Sequence, residues 1–197
     1  MEIKVRRPRA SVARRVLTTA ERILQADGYS GLTMERVASE SGVAKTTLYR
    51  RWPSKAALCM SLYLAVAERE LHEPDTGDIA DDLKQITRTV VRLHTKTVAG
   101  PALIGMIAEA HLNPDSSSAV LADFAKQRRE ITQRVIARAK SRGQLRRDVD
   151  GDLIIDALGG ATVFRLLQSH APLTPQFADA IVDLVLKGAL HGNDRPR

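Results

Sequence analysis

Hydroxyl, ammonium and guanidinium side chains lie close together just after a glycine near the N-terminus. Such groups donate hydrogen bonds to phosphate oxygens and to the acceptor edges of bases, so they are suited to binding a polyanion. No catalytic or metal-ligand motif accompanies them, so bond-breaking chemistry is not indicated. The glycine is Gly42, and the side chains are those of Lys45, Thr46, Thr47, Tyr49 and Arg50.

The excess positive charge of the chain is confined to its first third. Residues 1–57 contain 12 Lys and Arg against 5 Asp and Glu, which accounts for the whole net charge of +7. The rest of the chain holds 18 of each and is neutral. A basic head on a neutral body favours a polyanion-binding module joined to a domain with another task. Charge alone leaves a merely solvated basic face as the alternative.

Two short predicted helices position the polar side chains. The spacing of apolar residues predicts one helix over 34–40 and a second over 44–52, with Gly42 between them and Pro53 after them. Two helices joined by a short turn that contains glycine form a helix-turn-helix. Leu48 would pack against the first helix while the polar side chains face outward, toward the major groove of DNA.

The residues around this turn resemble the DNA-binding domain of the TetR family of transcriptional regulators. The resemblance covers 11–71, with the helix-turn-helix motif at about 33–52. It rests on Thr33, Val37-Ala38, Gly42-Val43, Thr47-Leu48-Tyr49, Arg51-Trp52, Lys55 and Leu58. Ala44 departs from the pattern, because the family usually has a capping serine or similar residue there. Arg51-Trp52 replaces a common pair of histidine or tyrosine followed by phenylalanine.

This resemblance implies a role for each polar position. Thr33, Tyr49 and Lys55 would bind phosphates, which sets register and affinity but not sequence choice. Reading of bases would fall to Lys45 and Thr46, with help from Thr47 and Arg50, since lysine donates to guanine and the threonine methyl contacts thymine. Arg36 and Arg51 would contact the flanking backbone.

The whole chain is predicted to be all-α, with about nine helices. An N-terminal three-helix helix-turn-helix domain would occupy 11–71, and a larger helical ligand-binding and dimerisation domain 78–197, separated by a Pro- and Gly-containing break at 74–77. A basic arm over 1–10 would either enter a minor groove or remain disordered. The other helices are predicted at 10–27, 55–73, 79–98, 102–112, 116–142, 151–170 and 175–190.

The second part of the chain is similar, over 142–190, to the C-terminal domain of one TetR subfamily. Such domains hold a ligand cavity and a dimer interface. The resemblance makes Tyr63, His94, Met106, His111 and Phe124 pocket candidates, although ordinary packing is the alternative for each. The apolar stripes of the last two helices predict a symmetric dimer interface through Leu153, Ala157, Leu158, Ala161, Ile181 and Leu184.

Several function classes are disfavoured. A glycine-spaced segment at 100–105 is followed by Met106 where a phosphate loop requires lysine, and hydrolase and dinucleotide motifs are missing. The single cysteine, Cys59, excludes an internal disulfide framework and a multi-cysteine zinc site. We expect no cofactor, no metal, no membrane span, no signal peptide and a cytoplasmic location.

The expected function is therefore that of a ligand-responsive transcriptional regulator. It would bind double-stranded DNA at a palindromic operator as a homodimer, repress, and be released by a small-molecule effector. The alternative is a ligand-independent, architectural DNA-binding protein of the same fold.

Overall fold

A computed structural model describes residues 9–189, with side chains for all of these except 9–11, 114–118, 188 and 189. Every regular element within the described residues is an α-helix, which confirms the all-α fold with about nine helices. The helices are α1 (Arg9–Gly31), α2 (Met34–Ser41), α3 (Lys45–Arg51), α4 (Lys55–Glu70), α5 (Ile79–Lys96), α6 (Ala99–Leu112), α7 (Pro114–Ser141), α8 (Gly151–Gln168) and α9 (Pro175–Ala189). Most of the predicted basic arm, residues 1–8, lies outside the described residues.

Side-chain caps explain where several helices begin. The Ser54 hydroxyl accepts a hydrogen bond from the Ala57 N–H at 3.1 Å at the start of α4. A carboxylate oxygen of Asp150 accepts from the Asp152 N–H at 2.8 Å at the start of α8. Each cap satisfies a backbone donor that the helix itself leaves without a partner.

Some helix ends differ from the predicted ones. The first helix is interrupted at Gly28, in agreement with the predicted range of 10–27: Gly28 (φ 66°, ψ −170°) is non-helical and kinks the chain, and α1 continues beyond it to Gly31. Helix α6 begins at Ala99 rather than at 102, because Pro101 falls in its first turn, where a backbone N–H is not needed. Helix α4 ends at Glu70, three residues before the predicted end.

The described chain divides into two compact units that are discontinuous in sequence. The first unit contains the described residues up to Ala65 together with Pro101–Asp123, and the second contains Val66–Gly100 and the described residues from Phe124 onward. The division falls inside α4 rather than at the break at 74–77. A chain segment distant in sequence therefore completes the N-terminal unit, which no local pattern indicates.

The second unit is built around an apolar core shared by α5, α7, α8 and α9. Leu83 and Leu158 lie in this core with Ile154 and Val182. Ion pairs from Arg88 to Asp179 (2.6 Å) and from Lys84 to Asp183 (2.7 Å) line the seam between α5 and α9. Leu158 was predicted to lie in a dimer interface, but its side chain is 6% exposed and packs within its own unit.

The remaining residues of the predicted interface differ in exposure. Leu153 and Leu184 are 66% and 65% exposed, and Ala157 is also exposed. Ala161 is partly buried, and Ile181 packs at the edge of the core. Only some of the predicted apolar positions are therefore free to meet another chain.

His94 is a buried histidine in this unit, and it should make folding sensitive to acid. Burial, and secondarily the charge of Arg128, lower the pKa of His94 to about 3. Between that pKa and the value of about 6.5 in the unfolded chain, only the unfolded state binds the proton. The free energy of unfolding should therefore be unaffected by this histidine above about pH 6.5 and should decrease by about 1 kcal/mol per pH unit from there toward pH 4.5.

Chemical denaturation at a series of pH values measures this slope. His94→Leu should flatten it whatever that change does to stability at neutral pH, whereas the matched change at the exposed His170 should leave it intact. An unchanged slope in His94→Leu would contradict the assignment.

Neither a membrane span nor a metal cluster is found in the part of the chain that the structure describes. No helix there is both long and apolar enough to cross a bilayer. No group of three or more His, Cys, Asp or Glu side chains is arranged to hold an ion.

Candidate nucleic-acid interface

The turn between α2 and α3 has the geometry that the sequence predicts. Gly42 adopts φ 65° and ψ 30°, a left-handed conformation that costs a glycine little and other residues more. Its N–H donates to the Ser39 carbonyl at 3.3 Å, and the Val43 N–H donates to the Ala38 carbonyl at 3.1 Å. These bonds end α2 and direct the chain into α3.

Apolar side chains hold the two helices together and leave one face of α3 to solvent. Val37 and Leu48 are fully buried, and Val43 is nearly so. The opposite face exposes Lys45, Thr46, Tyr49 and Arg50, with Thr47 partly exposed. The structure thus brings the predicted base-reading residues together on one solvent-facing surface.

Trp52 closes the end of α3 as a buried plug. Its side chain is 4% exposed, and its indole N–H donates to the Ser61 hydroxyl of α4 at 2.9 Å. The Arg51 guanidinium lies 5.1 Å from the centroid of the Trp52 ring and remains exposed. The departure from the family pattern therefore keeps the aromatic anchor and adds a cation at the surface.

Thr33 and Ala44 begin the two helices differently. The Thr33 hydroxyl accepts a hydrogen bond from the Arg36 N–H at 3.2 Å and so caps α2. Ala44 provides no side-chain cap for α3. Its backbone carbonyl instead accepts hydrogen bonds from the N–H groups of Thr47 and Leu48, at 2.9 and 3.0 Å.

Tyr49 has a hydrogen-bond partner that was not predicted from the sequence. Its hydroxyl donates to a carboxylate oxygen of Glu35, in the first turn of α2, at 2.9 Å. This bond raises the pKa of Tyr49 above its ordinary value. Because a phenol has one proton, Tyr49 can donate to a phosphate only by releasing Glu35.

Arg36 forms ion pairs with other residues of the first unit. Its guanidinium pairs with Glu40 (2.7 Å) and Asp27 (2.6 Å), and Arg22 from α1 also pairs with Glu40. These hydrogen bonds lower the pKa of Glu40, first through Arg36 and then through Arg22. A phosphate contact by Arg36 stays a prediction, and the structure adds a role in joining α1 to α2.

Lys55 is also held within the first unit. Its ammonium donates to the Tyr29 carbonyl at 3.0 Å and lies 3.9 Å from the centroid of the Tyr29 ring. The Tyr29 hydroxyl donates to Glu109 of α6, and burial together with this bond raises the pKa of Tyr29. The ring lies directly against Gly105 of the same helix. A tyrosine from α1 and a glycine from α6 therefore position the predicted phosphate-binding lysine.

The five predicted pocket residues do not gather in one unit. Tyr63 and Met106 are buried and belong to the first unit, as does His111, which is exposed and has its Nδ1 atom 2.8 Å from the Ile107 carbonyl oxygen. His94 and Phe124 are buried residues of the second unit. Their role in ligand binding stays a prediction.

Comparisons with known families agree with this geometry along most of the chain. Residues 16–61 match the family described as bacterial regulatory proteins, tetR family. Residues 73–185 match the tetracyclin repressor-like C-terminal domain.

Individual relatives extend this similarity over nearly the full length. A helix-turn-helix regulator of Mycobacterium bovis, Mb1581, is 29% identical over 89% of this chain and 86% of its own. The DNA-binding transcriptional repressor TetR of Mycobacteroides abscessus is 30% identical over 87% and 90%. The crystal structure of the TetR family regulator SCO0332 superposes with a TM-score of 0.79 at 38% identity, covering 90% of this chain and 98% of that one. The chain belongs to the TetR family of helix-turn-helix transcriptional regulators, which bind DNA and are not enzymes.

Proposed function

We propose that this regulator represses transcription by binding a palindromic operator as a homodimer, and that a small molecule releases it. The observation that carries the proposal is the face of α3, where the base-reading candidates lie together on a short helix fixed by the Gly42 turn. The similarity to a protein named as a DNA-binding transcriptional repressor favours repression over activation.

The interface divides into base-reading and phosphate-binding parts. Lys45 and Thr46 lie in the first turn of α3, the part of a recognition helix that reaches base edges. Tyr49, Thr33 and Lys55 would bind backbone phosphates on either side. The net charge of +7 within residues 1–57 supplies the long-range attraction.

An exposed apolar stripe on α8 supports the homodimer. Its members recur at steps of four and three residues, which places them on one face of the helix. They are Leu153, Ala157, Gly160, Phe164 and Leu167, and Leu184 adds a similar exposed position on α9. Contiguous apolar surface of this kind is unfavourable in water, and a second copy of the same helices would cover it through twofold symmetry.

Twofold symmetry predicts the form of the operator. Two heads related by that axis would meet half-sites about 34–36 Å apart or at a multiple of this distance. A ligand could release the protein only by preferring a state in which the two heads no longer match that spacing. Helix α4 begins with Lys55 and ends in the second unit, so it is the element through which we propose the coupling runs.

Two substitutions on the recognition surface test the division of roles. The operator is first selected from random duplexes, and binding is then measured by fluorescence anisotropy over a range of salt concentrations. Tyr49→Phe should weaken binding to all sequences about equally, by roughly three- to tenfold, because it removes a phosphate donor. Lys45→Ala should relax the preference at one base pair by roughly 10- to 100-fold.

Salt and a matched lysine provide the controls. Wild-type affinity should fall steeply with salt, because each phosphate that is neutralised releases counterions. Lys126→Ala, at an exposed position of α7, should change neither affinity nor preference. A flat salt profile, or a change of sequence preference with Tyr49→Phe but not with Lys45→Ala, would contradict the proposed interface.

A further inference from the structure

A small cavity opens within the second unit between α5, α7 and α8. Its volume is about 50 Å³, and its walls are largely apolar, formed by Ile86, Val90, Ile155 and Leu158. A cavity of this size has room for about four water-sized groups. Its occupant should therefore be much smaller than a typical drug-sized ligand, whose pockets measure roughly 300–1,000 Å³.

Arg128 provides the charge at this cavity. The side chain is partly buried, and its Nη2 atom lies 3.1 Å from the position that a Cβ at Gly159 would occupy. Its guanidinium carbon is 6.0 Å from the centroid of the Phe124 ring. The absence of a side chain at Gly159 thus leaves the guanidinium the space it occupies beside α8.

Arg128 differs from the neighbouring arginines of α7, whose charges are neutralised by carboxylates. Arg129 pairs with Asp156 at 2.5 Å, while Arg134 and Arg138 pair with Glu73 at 2.7 and 2.8 Å. Among the described side chains, no carboxylate forms an ion pair with Arg128. A partly buried cation without a counterion is costly, and that cost is relieved when an anion binds.

Three threonines, Thr87, Thr132 and Thr162, contribute hydroxyls to the cavity wall, and Arg129 also lines it but is paired with Asp152 and Asp156. The hydroxyls of Thr87 and Thr162 donate to the carbonyls of Leu83 and Leu158, each at 2.8 Å. The protons of the Thr87 and Thr162 hydroxyls are therefore used in hydrogen bonds within their own helices, and only the oxygen lone pairs of these two groups can face a ligand. Dianionic groups such as phosphate would find one unpaired guanidinium and additional lone pairs, which is unfavourable. A group with a single negative charge fits better.

We infer that this cavity binds a short-chain monocarboxylate, whose anionic group pairs with Arg128 and whose aliphatic chain lies against Ile86, Val90 and Ile155. The planar guanidinium matches a carboxylate through two parallel hydrogen bonds. The inference rests on the proposed ligand response and names the chemical class of its ligand. It assigns Arg128, which the sequence reading did not single out, as the anchoring residue.

Titration of the full-length protein with a matched panel of small molecules tests the inference. Acetate, propionate and butyrate are compared with the corresponding neutral amides by calorimetry and thermal melting, at an ionic strength held constant with sodium chloride. At least one carboxylate should bind with a dissociation constant of about 1 mM or lower and raise the melting temperature, while its amide should bind at least about tenfold more weakly.

Substitutions on one helix separate the anchor from general charge effects. Arg128→Gln should weaken carboxylate binding about 10- to 100-fold, and Arg128→Lys less, because lysine keeps the charge without the planar pair of donors. Arg134→Gln makes the same change on α7 away from the cavity and should leave binding unchanged. Melting curves without ligand establish that the variants are folded.

The outcomes also distinguish this inference from the proposed function. Equal binding of carboxylates and amides, carboxylate binding unaltered in Arg128→Gln, or no binding at about 10 mM would overturn the inference. A neutral effector that releases wild type and Arg128→Gln from the operator equally well would also overturn the inference. That result would still support the proposed ligand response. A carboxylate that binds through Arg128 without changing operator affinity would support the inference and contradict the ligand response.

Discussion

A chain that carries both Leu153→Asp and Leu184→Asp should be a folded monomer that binds the operator at least about 100-fold more weakly than wild type. Both leucines are about two-thirds exposed in the single chain, so the charges leave its core intact. In a symmetric dimer each change occurs twice, and each removes an apolar contact worth about 1.5–3 kcal/mol and places a carboxylate in an apolar interface. Loss of the second head removes the bivalent gain in affinity.

Sedimentation velocity and anisotropy with the selected operator measure the two parts of this prediction. Leu112→Asp is the matched control, because Leu112 is a 79% exposed leucine on α6, outside the proposed interface, and its replacement should leave the dimer intact. Leu158 is unsuitable as a test position. Its burial means that Leu158→Ala should cost about 2–5 kcal/mol of folding free energy instead. A double variant that remained dimeric would place the interface elsewhere.

Gly105→Ala should destabilise the protein by about 1–3 kcal/mol, although alanine ordinarily stabilises the interior of a helix. A Cβ at this position would lie 2.0 Å from the Tyr29 ring, so the ring must move. That movement breaks the hydrogen bond to Glu109 and withdraws the ring from the Lys55 ammonium. We therefore expect weaker operator binding together with a melting temperature lower by several degrees.

Gly160→Ala is the matched control for this change. Gly160 also lies within a helix, and nothing occupies the space where its Cβ would be, so alanine should raise stability by up to about 1 kcal/mol. Because Gly160 lies on the proposed dimer face, both variants are compared in the Leu153→Asp/Leu184→Asp background. Combining Gly105→Ala with Tyr29→Leu should recover part of the loss, since the smaller side chain relieves the overlap. If the effects of Gly105→Ala and Tyr29→Leu on stability were strictly additive, overlap with the Tyr29 ring would not be the reason that position 105 needs a glycine.

The local features of this protein follow from its sequence. Apolar spacing of three and four residues predicts the helices, and the caps at Thr33, Ser54 and Asp150 require only neighbours within a few residues. Gly42 belongs to the same class, because a positive φ is a property of one residue. The candidate base-reading face was predictable for this reason. Its residues lie on a single short helix, whose inward side the buried Leu48 sets.

Only the tertiary structure determines which side chains already have hydrogen-bond or ion-pair partners within the protein. Arg36 is paired with Asp27 and Glu40, and Tyr29 reaches Gly105 and Glu109 across about 80 residues of sequence. No periodicity encodes such partners, because they depend on how distant helices pack. The same holds for the apolar residues of α8, among which Leu158 lies in the core and Leu153 is exposed. A helix has a continuous surface, and only the position of its neighbours determines which part of that surface is left for a partner or for a ligand.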